Sequence, residues 1–256
     1  MRKLIALCLS AAAVAVLLVA AAPPAPFPAG TAGAAEAGDA PPTVIELFTS
    51  QGCSSCPPAD QILYELARRD DVVAISWHVS YWDYIGWKDP FATDWSTARQ
   101  RAYRGRFERN YVYTPQMVID GQHDVIGSRR GTVTRTVADS RAEAAGRIRI
   151  GLDRDIASDE LVIALPPQRL DRALEIWLVG YSGAHETRVL RGENQGAMLR
   201  NTHVARTLNH LGRWDGAAKT VRVPLPFHED VAGFAVLLQE PGQGAIHGAA
   251  KLDLTS

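Results

Sequence analysis

The sequence predicts an α/β domain followed by an all-β, sandwich-like domain, with an export leader ahead of both. Three observations carry this. Between residues 44 and 79, two apolar, β-rich runs flank one segment of helical periodicity, the signature of a βαβ unit. After Gly146, short apolar runs recur between turn residues at the spacing of a β-sandwich. Before Pro42 a basic start, an apolar run and a stretch of Ala, Pro and Gly have the form of a signal peptide and tether. A chain of 256 residues has room for two cores, and a formal charge of −1 argues against nucleic acid as a partner.

The leader opens Met1-Arg2-Lys3 and runs apolar over residues 4–22. Cleavage is expected after Ala22, Ala34 or Ala37, giving a periplasmic or secreted protein. Left uncleaved, the run is long enough to span a bilayer, and only then is a membrane a partner. Cys8 lies within the run and leaves with it. Of three cysteines the mature chain then keeps Cys53 and Cys56. In an oxidising compartment such a pair either forms a disulfide or binds metal.

Taken in order, residues 44–48 form the first strand, and Thr49-Ser50-Gln51-Gly52 turns the chain into Cys53-Ser54-Ser55-Cys56. Pro57 and Pro58 suit the first turn of a helix, where a missing N–H costs nothing. Ile62, Leu63, Leu66 and Ala67 continue it at helical spacing, and residues 72–79 read as a buried parallel strand. A helical insertion is expected at about residues 80–110, with Asp89 as N-cap and Pro90 at the first helical position. Its apolar face would carry Phe91, Trp95, Ala98, Ala102 and Phe107. Its basic face would carry Arg99, Arg101, Arg104, Arg106 and Arg109. Next come Thr114-Pro115, a short strand, a hairpin turn at Asp120-Gly121 and a second short strand. Ser128 is a candidate cap for a last helix carrying Val133, Val137 and Ala144. The first domain thus covers residues 42–146. The second covers 147–256, with strands expected near residues 147–152, 161–165, 174–179, 187–190, 221–225 and 234–238.

The chemistry centres on the cysteines. A cysteine that opens a helix meets free N–H groups and the positive dipole end, which favour its thiolate. In that arrangement Cys53 is expected at the exposed tip as the nucleophile, with Cys56 covered by the helix as the thiol that resolves a mixed disulfide. A structural staple is the plainer alternative. No second C-x-x-C completes a zinc cage, and Pro57 after Cys56 excludes C-x-x-C-H haem attachment. Glu46 sits between Ile45 and Leu47, where a carboxyl is costly unless protonated or paired. The carboxyl ends of parallel strands share one edge, so His78 and the aromatics after it arrive beside Cys53. Tyr81, Trp82 and Trp87, with Tyr84, would floor a substrate groove or form a lid, unless they pack the insertion onto the sheet. His78 is either a hydrogen-bonded core histidine or, with Cys53 and Cys56, a copper ligand. His185, His203, His210, His228 and His247 lack metal-ligand spacing. Arg191-Gly192-Glu193-Asn194 and Asn201-Thr202-His203-Val204-Ala205-Arg206 form polar clusters with no chemistry assigned beyond partner binding.

The order of elements from Pro42 to Gly146, with C-x-x-C after the first strand and Thr-Pro before the third, resembles the thioredoxin fold. The residues from Glu46 to Asp60 are similar to the signature of the DUF1223 family of exported bacterial thioredoxin-like proteins. So are Trp77-His78-Val79, Tyr81-Trp82-Asp83, Gly86-Trp87-Lys88-Asp89, Tyr113-Thr114-Pro115-Gln116 and Arg191-Gly192-Glu193-Asn194. The resemblance implies a cis Pro115 that turns the backbone of Thr114 toward an extended substrate. It also implies a buried acid on the first strand, here Glu46, as proton acceptor for the resolving thiol. The expected function is a cofactor-free thiol–disulfide oxidoreductase. It would act on thiols or disulfides of other exported proteins and be served by a separate redox partner. A copper carrier using Cys53, Cys56 and His78 is the alternative, and an inert scaffold with an uncycled disulfide a third. A Cys53 that titrates like an ordinary thiol, or that is walled off from solvent, would sink the first and leave only the architecture.

Overall fold

Side-chain alternation along the first strand, β1 (Thr43–Thr49), sets the architecture, because every one of its residues is buried. Ile45 and Leu47 face one apolar cluster, and Val44 and Phe48 face another. The computed structural model describes residues 40–225 and 229–254. The leader with Cys8 and the candidate cleavage points lies outside the described residues, as does His228.

After β1 come α1 (Pro57–Ala67) and β2 (Val72–His78), with β2 parallel to β1 and Thr49 paired with His78 in register. A 3-10 turn (Ser80–Ile85) leads to α2 (Asp94–Arg106), then β3 (Gln116–Ile119), β4 (His123–Ile126) and α3 (Arg130–Ala142). The four strands form one sheet in the order β2-β1-β3-β4, with β3 antiparallel to β1. Helix α1 covers the Ile45–Leu47 face through Ala59, Ile62, Leu63 and Ala67, and α3 joins it there through Val133 and Val137.

Past a 3-10 turn at Ala144–Gly146 the chain is all β. It comprises β5 (Gly151–Asp155), β6 (Glu160–Leu165), β7 (Leu174–Ser182), β8 (His185–Arg188) and β9 (Met198–Asn201). Then follow β10 (Ala205–Trp214), β11 (Lys219–Pro224), β12 (Val231–Gln239) and β13 (Ile246–Asp253). A β10-β7-β12-β13 sheet and a β11-β6-β5 sheet close on a shared core that includes Leu161, Ile163, Ile176, Trp214 and Val236. β8 and β9 form a separate two-stranded ribbon. The whole is a mixed α/β protein with several sheets and few helices.

The regions before and after Gly146 share a core. Phe48, Ile75 and Trp77 belong to one cluster with Val179, Tyr181 and Leu237. Edge strand β2 is also tied across the seam, where Ser76 N–H donates to the His203 carbonyl at 2.8 Å and Val204 bridges to Ser76. The imidazole Nδ1 of His203 lies 3.0 Å from the Ala74 carbonyl. The polar cluster at residues 201–206 is thus the joint that covers an otherwise open sheet edge.

Helix α2 departs from the expected pattern twice. It starts at Asp94, capped by the Thr93 hydroxyl accepting from Ser96 N–H at 3.1 Å, and Asp89 is not its cap. Its buried face is Ser96, Thr97, Arg99, Gln100 and Tyr103, whereas Ala98 and Ala102 are exposed. A buried Glu46 demands a cation, and that demand outweighs the small apolar gain of burying two alanines. Among the described residues no helix is long and apolar enough to cross a membrane.

Candidate functional site

Cys53 and Cys56 are joined in a disulfide at the start of α1. A tight turn brings them together, with Cys53 N–H donating to the Ser50 carbonyl at 3.1 Å and Cys56 N–H to the Cys53 carbonyl at 3.2 Å. Cys56 is the N-cap residue, and prolines follow at the first helical positions. The Thr114–Pro115 peptide bond is cis. The Ser55 hydroxyl links the two segments, lying 3.4 Å from Cys53 Sγ and donating to the Thr114 carbonyl at 3.4 Å.

The expectation of an exposed Cys53 is overturned: both cysteines have no exposed surface. Two separate pieces of chain seal them. One is the segment after β2, where Trp82 and Ile85 crowd Gly52 so closely that a Cβ there would lie 3.2 Å from each. The Trp82 indole N–H donates to Thr114 Oγ1 at 2.8 Å, occupying the side chain beside Pro115. Tyr81 packs beside Trp82, with ring centroids 6.5 Å apart. The Trp87 indole N–H donates to Gln51 Oε1 at 3.1 Å. The other piece is the loop joining β8 to β9. Asn194 Nδ2 donates to the carbonyls of Gln51 at 2.9 Å and Cys53 at 3.0 Å, and Glu193 accepts from Ser54 N–H at 3.1 Å. Gly192, at φ +78°, lets this loop pass over Trp87 and Ile85. Trp82, Trp87 and one polar cluster without an assigned role therefore form the cover, while Tyr81 and Trp82 also pack the segment after β2 onto the core.

Glu46 is not placed to serve the thiols. Its parity puts it with Val44 and Phe48, on the sheet face away from α1. There Arg99 Nε donates to Glu46 Oε1 at 2.5 Å, and the Tyr103 hydroxyl donates to Oε2. Arg99 Nη2 also donates to Gln239 Oε1 at 3.0 Å, and its guanidinium lies 4.9 Å from the Trp77 ring centroid. The reading of Arg99 as part of a solvated basic face is thereby corrected.

The face toward α1 carries a different set of polar groups. Thr49 and His78, register partners at the ends of β1 and β2, meet Asp60 from the first turn of α1. Asp60 is 6 % exposed and His78 is 1 % exposed. Thr49 Oγ1, Asp60 Oδ1 and His78 Nε2 are buried with no hydrogen-bond partner. Nδ1 of His78 lies 2.7 Å from Asp89 Oδ2, which also accepts from Gln51 N–H at 2.8 Å. Burial by itself would lower the His78 imidazole pKa, but the Asp89 carboxylate more than offsets this and raises it. Asp89 moves the other way, since His78 and two backbone N–H groups hold its carboxyl below the usual range despite burial. Asp60 has no ion-pair partner of that kind, only Thr49 and His78 beside it. Burial raises its carboxyl from 3.8 to about 7, against the opposing pull of His78.

Neither Gln51 nor Asp60 was among the candidate residues, yet both hold the site together. A stripe of Cys56, Ala59, Asp60, Leu63 and Ala67 along one helix face is the pattern that marks Asp60 as buried. His185, His203, His210 and His247 do not converge, and among the described residues no group of three or more His, Cys, Asp or Glu is placed to hold a metal ion. Cys53 and Cys56 are bonded to each other here, and His78 is paired with Asp89.

These features define a mixed α/β protein whose Cys53–Cys56 disulfide lies under a two-part cover at the edge where its parallel strands end. Residues 44–239 match the family described as a protein of unknown function, DUF1223, and the chain belongs to that family. A crystal structure of protein AGR_C_4864 from Agrobacterium tumefaciens is similar at 31% identity and TM-score 0.73, covering 85% of this chain and 97% of that one. HBP35 of Porphyromonas gingivalis is similar in fold alone, at 12% identity and TM-score 0.61 over 84% of this chain and 76% of that one. No curated protein matches the chain.

Proposed function

We propose that the chain is an exported, thioredoxin-like thiol–disulfide oxidoreductase of the periplasm or exterior. Its substrates would be thiols or disulfides of other exported proteins, and a separate redox partner would return it to its starting state. The observation that carries this reading is the C-x-x-C pair opening α1 directly against Thr114–Pro115, with Ser55 bonded to both sides. The sheet order β2-β1-β3-β4 supports the thioredoxin-like part of it. Attack on a disulfide sulfur needs access to that sulfur, so the covered form is the resting state and reaction requires the 191–197 loop and Trp82 to move aside. Once they do, Cys53 is the attacking sulfur and Cys56 the resolving one, and the Thr114 backbone and the Tyr81, Trp82 and Trp87 rings become the docking surface.

A Cys56→Ala variant, expressed with its leader, should accumulate mixed disulfides through Cys53 that dithiothreitol releases. Wild type should catalyse reduction of insulin by dithiothreitol. The absence of both would leave a structural staple and overturn the proposal.

A further inference from the structure

Resting on that reading, we infer that Asp60, not Glu46, is the proton acceptor for Cys56, with His78 and Asp89 as its positioning residues. Asp60 N–H donates to the Cys56 carbonyl at 3.1 Å, so the two residues stand one helical turn apart on the buried side of α1. Glu46 is held by Arg99 and Tyr103 on the far side of the sheet. Asp60 Oδ1, Thr49 Oγ1 and His78 Nε2 are all buried without a hydrogen-bond partner, and Thr49 and His78 are the side chains that act on Asp60. Unsatisfied buried polar groups carry a desolvation cost, and three neighbouring ones, one of them a single helical turn from Cys56, point to a functional arrangement rather than a packing one.

A proton also needs a way out. Asp60 lines a cavity of about 220 Å³ with Pro57, Gln61, Met198, Leu199 and Arg200, which lies between α1 and β9. Met198 and Arg200 are exposed, so the cavity borders solvent. The charged and titratable groups around Asp60 are His78 and Asp89 on the inner side and Arg200 at the cavity. Arg206 and His185 lie beyond His78. A carboxyl that titrates at about 7 can both take and return a proton near neutrality.

In the dithiol form, Cys53 thiolate attacks a protein disulfide R–S–S–R′, forming Cys53–S–S–R and releasing R′S⁻, which takes a proton from water. Cys56–SH then gives its proton to the Asp60 carboxylate, and the Cys56 thiolate attacks Cys53 Sγ. The Cys53–Cys56 bond forms as the S–R bond breaks, and RS⁻ leaves and is protonated. The protein dithiol is oxidised by two electrons and the substrate disulfide is reduced by two. Asp60 returns its proton to solvent through the cavity. Running the step backwards, Asp60 protonates Cys56 as the disulfide opens.

The test follows reduced, full-length mature protein reacting with oxidised glutathione, acid-quenched and resolved by mass, from about pH 5 to pH 9. Wild type should show closure of the Cys53–glutathione mixed disulfide with a break near neutral pH. Asp60→Asn should slow closure by about tenfold or more at pH 7 and remove the break, while formation of the mixed disulfide changes by less than about twofold. An unchanged closure profile in Asp60→Asn would overturn the inference and leave the oxidoreductase reading standing. Should wild type form no mixed disulfide, that reading fails and takes the inference with it. Infrared difference spectra between dithiol and disulfide forms offer a measurement on wild type alone. A protonated-carboxyl band that changes with redox state supports the relay, and its absence overturns it. His78→Gln should shift the break without abolishing closure.

Discussion

The two faces of one strand treat a buried carboxylate in opposite ways. Glu46 points to the seam between the two regions of the chain, and Arg99 and Tyr103 occupy both of its oxygens. Asp60 reaches the other face from α1, and one of its oxygens has no partner at all. The first arrangement fixes one structure, because removing either charge leaves the other stranded. The second leaves a group free to change protonation. On the proposed reading, the paired acid serves stability and the unpaired one chemistry.

Arg99→Met should have the largest effect. It would strand Glu46 in the core and lower unfolding free energy by about 3–5 kcal/mol in denaturant titrations. Adding Glu46→Gln to the same chain should recover most of the loss, since the uncompensated charge is what costs. An Arg99→Met loss below about 1 kcal/mol would show that the pair is not structural.

Asp60→Asn should do the reverse. The folded-state pKa of Asp60 is raised from 3.8 to about 7, so the native state holds a proton more tightly than the unfolded chain. That contribution to stability is complete below pH 4 and is lost as pH climbs through about 7. The Asn variant lacks the loss. It should match wild type at pH 4 and exceed it at pH 8 by about 2–4 kcal/mol. Equal stabilities at pH 8 would mean that Asp60 is solvated or paired in solution.

The local part of this fold was readable because it depends on short-range pattern. The period switches from strand to helix at Cys53, prolines stand where a helix tolerates them, and Asp120-Gly121 turns a hairpin. What the sequence did not disclose depends on pairings over long separations. Arg99 reads as one arginine among five on a polar face until Glu46, 53 residues earlier, is found opposite it. Asp89 followed by Pro90 imitates a helix start, yet its carboxyl goes to His78 and Gln51. Asp60 looks like an ordinary first-turn acid favoured by the helix dipole. Asn194 acts on backbone carbonyls 141 and 143 residues away, and such contacts leave no periodic trace.

The cover over the disulfide supplies the smallest perturbation and the most direct view of access. Asn194→Ala removes two hydrogen bonds to the Gln51 and Cys53 carbonyls without touching sulfur, Asp60 or Glu46. Each such bond is worth about 0.5–1.5 kcal/mol net, so the variant should lose about 1–2 kcal/mol of stability. If opening of the 191–197 loop limits access, the same energy should appear as an approximately tenfold faster reduction of Cys53–Cys56 by dithiothreitol. Glu193→Gln, which weakens one exposed contact to Ser54 N–H, should accelerate reduction in the same direction by less. Were Asn194→Ala to lose stability with no change in reduction rate, Trp82 rather than the loop would be the barrier. Trp82→Ala should then give the acceleration instead. The two variants together assign the cover to one piece of chain or the other, because each loosens a different segment over the same buried sulfur pair.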